Sequence, residues 1–249
     1  MSTSGPARAP GGAVRAVLFD FFGTLTTAIR RGPAHDGIAR RLGCDPEEMA
    51  TALDRTFRER ASGAYGGPAE TMRRLAYDLA ARPTEEQVRR AVADRVEAIR
   101  VDTRLRPEAV PVLRAVRARG LRTGLISDCV YELPAFLPGL PVAPLLDTCV
   151  YSVELGACKP HPALYLAACR RLGVQPAQCV FVGDGGSREL SGARAVGMTA
   201  VRLAAPDLGA HLRYDVEVGW CGTTIGSLAA LPDLLDRITP DRDDLALAG

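Results

Sequence analysis

The stretch VLFDFFGTLT, residues 17–26, decides how this chain is read. Three apolar residues following Ala16 run straight into one carboxylate, Asp20, and then come Phe21, Phe22 and Gly23. A short apolar run bounded by turn residues reads as a buried strand. Such a strand presents its last polar residue at the carboxyl end, where open α/β sheets bind their ligands. The question is what a lone Asp20 does there, with Phe22 two positions on.

Working outward, further short apolar runs lie at 125–126, 150–153, 180–182 and 198–203. Helical patterns separate them, over 106–119, 162–172 and 187–196, each closed by a glycine (Gly120, Gly173, Gly197). Strands alternating with helices predict an α/β fold, a three-layer Rossmann-like parallel sheet with right-handed crossovers. The alternation breaks between residues 27 and 105, where only helical periodicity occurs. Val88, Val92, Val96 and Ile99 make an apolar stripe, and Thr84 and Gln87 have capping-box spacing. The prediction is a four-helix cap over 27–105, inserted into a core formed by 13–26 and 106–236. Residues 1–12, rich in Pro and Gly, and 237–249 read as tails, the first without the apolar segment of a signal peptide.

Composition excludes more than it assigns. The 249 residues carry a formal charge of +2 with acids and bases interspersed, so no nucleic-acid or membrane-surface partner is expected. No apolar run reaches the ~20 residues of a bilayer span. Seven cysteines form no CxxC pair, which fits reduced thiols in a cytoplasmic protein. Of the 31 basic residues only one is lysine, Lys159. Oligomeric state is not readable from the sequence.

The polar residues after the apolar runs form one set. Asp20 follows the first, Ser127 and Asp128 the second, Lys159 lies in VELGACKPHP after the third, and Asp184 and Glu189 follow the fourth in VGDGGSRE. In this order the chain resembles the haloacid dehalogenase superfamily of hydrolases, in the branch with a helical cap after the first motif. DFFGTL resembles motif one, LISD motif two, CKPHP motif three and GDGGSRELSGARAVGM motif four, together spanning most of residues 14–235.

The resemblance implies a magnesium-dependent phosphohydrolase acting on a small phosphorylated molecule. Asp20 would be the nucleophile, forming an aspartyl-phosphate, and Mg²⁺ would be held by Asp20, the Phe22 carbonyl and Asp184. Lys159 would sit as a point charge beside Asp20 and the phosphoryl oxygens, and Ser127 would donate to one of them. Glu189, where the family usually has aspartate, would hold a metal-bound water or Lys159. Gly23, Thr24, Asp128 and Arg188 are implied against the substrate, with Arg188 facing either the substrate or Glu189.

Phe22 departs from the phosphatase pattern, which has a second aspartate there as general acid and base. Three readings follow. One is a phosphohydrolase whose leaving group needs little protonation, or whose proton comes from His35, Asp36 or Glu132. Another is a dehalogenase-like enzyme without metal, disfavoured by the retained Gly183-Asp184. The third is a ligand-binding relative with little or no turnover. A phosphonate hydrolase would need a lysine in the cap, and 27–105 contains none. The arginine pairs at 30–31, 40–41, 73–74 and 89–90 read mostly as solvated faces, with one of them open to an anion-clamping role.

Overall fold

The computed structural model describes residues 13–211 and 214–238. Six strands, β1 (Ala16–Phe19), β2 (Arg122–Ser127), β3 (Thr148–Tyr151), β4 (Cys179–Gly183), β5 (Thr199–Leu203) and β6 (Thr223–Ile225), form one sheet. Their order is β3-β2-β1-β4-β5-β6, and every pairing is parallel. The chain runs outward from β1 through β2 to β3, then returns to pair β4 on the other side of β1. The carboxyl ends of β1 and β4 therefore meet where the strand order reverses, the place such sheets bind ligands.

Side-chain alternation builds two cores from one strand. Val17 and Phe19 face one side of β1, Ala16 and Leu18 the other, and Val180 and Val182 on β4 split the same way from Cys179 and Phe181. The insertion helices α1 (Ala34–Arg41), α2 (Pro46–Arg55), α3 (Phe57–Ala61), α4 (Pro68–Asp78) and α5 (Glu85–Asp102) precede α6 (Ala109–Ala118). Short α7 (Glu132–Phe136) and α8 (Ser152–Leu155) follow, then α9 (Pro162–Leu172), α10 (Glu189–Ala195) and α11 (Leu231–Ile238). Helices α6 and α11 cover the Val17 face, while α9 and α10 cover the Leu18 face, completing three layers. Each fully buried Val, Leu or Phe there contributes about 1.5–3 kcal/mol.

Helix ends follow local chemistry. Pro162 opens α9 behind a His161 ring that accepts the Ala163 N–H, and Gly173 closes it at φ +65°. Thr84 and Gln87 form the expected capping box on α5. The insertion holds five helical segments rather than four, because the period through Met49, Leu53 and Phe57 is broken at Thr56 into α2 and α3. Thr56 returns its hydroxyl to the Ala52 carbonyl, a bond that competes with helix continuation. The α5 stripe also divides its work. Val88 enters a separate core with Ile38, Leu53 and Leu75, whereas Val96 and Ile99 pack on the sheet-side core.

Two linkers leave and re-enter the sheet side by side. Thr26 bridges Leu105, and Thr27 donates to the Arg104 carbonyl. The expected tail at 237–249 starts too early, since Arg237 and Ile238 complete α11. Residues 1–12 and 239–249 lie outside the described residues. Among the described residues no helix is long and apolar enough to cross a membrane, and all seven cysteines are free.

Candidate active site

Asp20 leaves β1 in extended geometry and its backbone N–H is held by the Val182 carbonyl of β4. The chain then turns tightly through Phe22 and Gly23, the latter at φ +82°. A Cβ on Gly23 would come within 2.7 Å of the His211 ring, so this position takes glycine for two reasons.

Lys159 reaches this point from the loop after β3. Its Nζ donates to Asp20 Oδ1 at 2.6 Å, to Glu189 Oε2 at 2.6 Å and to the Ile126 carbonyl at 3.4 Å, which uses all three ammonium protons. The Lys159 backbone N–H donates to Asp128 Oδ1, so Asp128 fixes the loop that carries the lysine. Glu189 is fully spoken for: its second oxygen accepts the Gly185 N–H at 3.0 Å. Of the two roles left open for Glu189, this geometry makes the contact to Lys159. Gly183 is required beside it, because a Cβ there would overlap the Glu189 carboxylate.

Charge at this end of the sheet does not balance. Asp20, Asp128, Asp184 and Glu189 are all buried, with one buried ammonium among them. Burial works against the charge on Lys159, but Asp20, Glu189 and Asp128 together hold its pKa well above the ordinary lysine value. Burial pushes the Glu189 carboxyl well above its ordinary value against the pull of Lys159, with Asp20 and Asp184 adding to the rise. Burial also raises Asp128, opposed by Lys159. Oxygens of Asp20, Asp184 and Glu189 lie within 4.8 Å of one another. A divalent cation between Asp20 and Asp184 fits this excess of negative charge, and oxygen donors of this kind suit magnesium. The Ser127 hydroxyl at the end of β2 is fully buried without a hydrogen-bond partner, a donor waiting for an acceptor.

A cavity of about 150 Å³ opens onto Asp20, Lys159 and Asp184. Phe22 lines it, half-buried and edge-on to Phe21. Arg31, Phe57, Arg60 and Arg95 line it from the insertion, and His211 and Tyr214 from the loop after β5. That loop grips the insertion. Asp207 accepts the Ala28 N–H and pairs with buried Arg106, His211 Nδ1 accepts the Ile29 N–H, and the Tyr214 ring stacks on Phe57 at 4.2 Å. Because His211 Nδ1 accepts, a neutral ring carries its proton on Nε2, which lies 3.9 Å from Asp184 Oδ2. Ser187 and Arg188 take positive φ after β4 and donate their N–H groups to Tyr214 and Asp215 in the same loop.

The remaining expected residues are placed differently. The Gly23 N–H donates to the Thr26 hydroxyl, Thr24 is buried with its carbonyl bonded to Arg106, and Arg188 is exposed; neither these three nor the buried Ser127 line the cavity. Of the three groups considered as proton donors, Asp36 is exposed and pairs with Arg40. His35 is buried between Asp102, 2.8 Å from Nε2, and Arg95, 3.0 Å from Nδ1. Glu132 lines the cavity but accepts from Arg95 at 2.9 Å. Arg60, His211 and Tyr214 had no signal in the sequence, being single residues outside any motif, and Phe57 read only as part of a helical apolar period.

Residues 14–197 match the family model of the haloacid dehalogenase-like hydrolases. The chain is similar to glyceraldehyde 3-phosphate phosphatase of Methanopyrus kandleri, 29% identical over 199 residues, which covers 76% of this chain and 84% of that relative. It is also similar to (S)-2-haloacid dehalogenase 1 of a Pseudomonas species, 28% identical over 234 residues, covering 91% and 98% of the two chains. In fold it is similar to a HAD phosphatase from Thermococcus onnurineus, with a TM-score of 0.62, 23% identity, and coverage of 90% of this chain and 98% of that one.

Proposed function

The chain belongs to the haloacid dehalogenase-like hydrolases, and on that premise we propose that it is a magnesium-dependent phosphohydrolase working through an aspartyl-phosphate at Asp20. The observation that carries this reading is the crowding of negative charge: four buried carboxylates stand around one ammonium, and oxygens of Asp20, Asp184 and Glu189 lie within 4.8 Å of one another.

Asp20 attacks phosphorus, the leaving oxygen departs with the P–O bond electrons, and water then cleaves the acyl phosphate to free Asp20 and inorganic phosphate. Lys159 holds the Asp20 carboxylate in place, and its charge faces the phosphoryl oxygens. Ser127 Oγ donates to one of those oxygens. Asp20, Asp184 and the Phe22 carbonyl are the groups that would hold Mg²⁺, which when bound neutralises charge between carboxylates and phosphoryl group. Glu189 and Asp128 position Lys159, and Asp128 also lines the cavity that takes the substrate.

Phe22 offers no proton, and His35, Asp36 and Glu132 are each engaged elsewhere. The substrates that fit are small phosphates whose leaving group departs as a weak base, such as an acyl or anomeric phosphate. Seven free cysteines support a reducing, cytoplasmic setting. The test is phosphate release from acetyl phosphate, sugar phosphates and an aryl phosphate, with and without magnesium. Metal-dependent release confined to the good leaving groups is expected; release that ignores magnesium would overturn the reading.

One observation favours a second reading, carbon–halogen hydrolysis: Phe22 lines the cavity and offers no proton, and a departing halide needs none. That reading makes no use of the clustered oxygens of Asp20, Asp184 and Glu189, and it ranks second for that reason.

A further inference from the structure

Three arginines are buried among the described residues, and two of them have carboxylate partners. Arg95 pairs with Glu132, and Arg106 pairs with Asp207. Arg60, on α3, is the exception. It is 3% exposed, and its bonds go to neutral acceptors only, from Nε to the Thr56 hydroxyl and from Nη2 to the Leu53 carbonyl. It lines the same cavity as Asp20, where the remaining arginine, Arg31, is taken by Asp54. A guanidinium withdrawn from water without an anion is costly, and its unused Nη1 edge is a geometry that receives carboxylates.

We propose that Arg60 is an anion-binding residue of the cavity and that the natural substrate carries a carboxylate besides the group transferred at Asp20. The identity of that transferred group as phosphoryl rests on the function proposed above. Arg60 and Asp20 line one cavity of about 150 Å³, so the carboxylate and the transferred group can belong to one small molecule. Ile99, Val130 and Leu133 supply apolar wall for the connecting carbons. Burial, reinforced by the positive charge of Arg95, draws the Arg60 pKa down to about 10, which leaves it charged at neutral pH.

The test is calorimetric binding of two non-hydrolysable probes, 3-phosphonopropionate and propylphosphonate, in magnesium, to the wild type, Arg60→Met and Arg60→Lys. The wild type is expected to prefer the carboxylate-bearing probe by roughly tenfold or more. Arg60→Met should lose that preference, and Arg60→Lys should keep part of it. Equal binding of both probes by the wild type would overturn the subsite, leave the phosphoryl reading standing and make Arg60 a staple between α2 and α3; it needs no variant to fold. A preference that survives in Arg60→Met would overturn the assignment to Arg60. Failure of propylphosphonate to bind, with Arg60-dependent binding of 3-phosphonopropionate, would support the subsite and count against the phosphoryl reading instead.

Discussion

Lys159 Nζ lies 2.6 Å from Asp20 Oδ1, with both side chains withdrawn from water. The contact makes Asp20, the proposed nucleophile, and its counter-charge one unit, anchored from behind by Glu189. Removing Lys159 leaves Asp20 and Glu189 buried without their ammonium, so single substitutions here are expected to change both activity and stability.

Lys159→Met is expected to lower kcat by about 10²–10³, the usual cost of removing one electrostatic donor from a transition state. Stability at pH 7 should fall by roughly 3–5 kcal/mol, because the carboxylates lose their only ammonium. Part of that loss should be recovered as pH falls and the carboxyls take up protons. Urea denaturation at pH 7 and pH 5 reads this directly. Lys159→Arg should not restore activity, since a planar fork does not occupy the place of a compact ammonium with three acceptors around it.

Glu189→Gln keeps an acceptor for the Gly185 N–H but removes the charge that orients Lys159. Activity or magnesium affinity should drop about 10–100-fold, the range for losing a group that positions catalytic ones. Steady-state kinetics across a magnesium titration separates the two effects. An unchanged kcat at saturating magnesium would mean Lys159 does not need this anchor.

His35 makes stability pH-dependent. Burial lowers its pKa, and Arg95 beside Nδ1 lowers it further against the opposing pull of Asp102. The unfolded chain therefore takes up a proton near pH 6.5 while the folded chain resists it. The sign is that stability is fully present above the ordinary histidine value and is lost as pH falls from there toward the depressed folded value. Wild-type Tm should drop more between pH 7.5 and 5.5 than that of His35→Gln, as differential scanning calorimetry would show. Equal drops would contradict a buried neutral His35.

Phe22→Asp places a carboxyl against the cavity where Phe22 offers none. Turnover of ordinary alkyl phosphates should rise by about 10²–10⁴ relative to the wild type, the value of a general acid. Acetyl phosphate turnover should change far less. A coupled phosphate assay over both substrate types is sufficient, and no gain on alkyl phosphates would mean another group already supplies the proton.

How much of this was legible in the sequence depends on chain distance. Asp20, Asp128 and Asp184 directly follow strands whose apolar runs mark them and Ser127 ends one, so the parallel topology brings them to one edge of the sheet, while Lys159 comes in on a loop held by Asp128. The α5 capping box and the α9 boundaries were readable for the same local reason. The break at Thr56 was not, because one side-chain hydroxyl decides it inside an unbroken apolar period. The cavity wall was also hidden. Tyr214 meets Phe57 across 157 residues of chain (214 − 57) only because the loop after β5 folds over the insertion. Gly23 and Thr24 belong to a motif, yet their backbone groups serve Thr26 and Arg106. A motif match fixes position, and the hydrogen bonds around it decide use.

The most direct test of the central claim is covalent labelling of Asp20. The protein is mixed with phosphorus-labelled acetyl phosphate and magnesium, quenched in acid, and the label on the chain is counted for wild type and Asp20→Asn. The account predicts label on the wild type that requires magnesium and is absent from Asp20→Asn. A wild type that carries no label under any condition, yet releases chloride from 2-chloropropionate without metal, would contradict it.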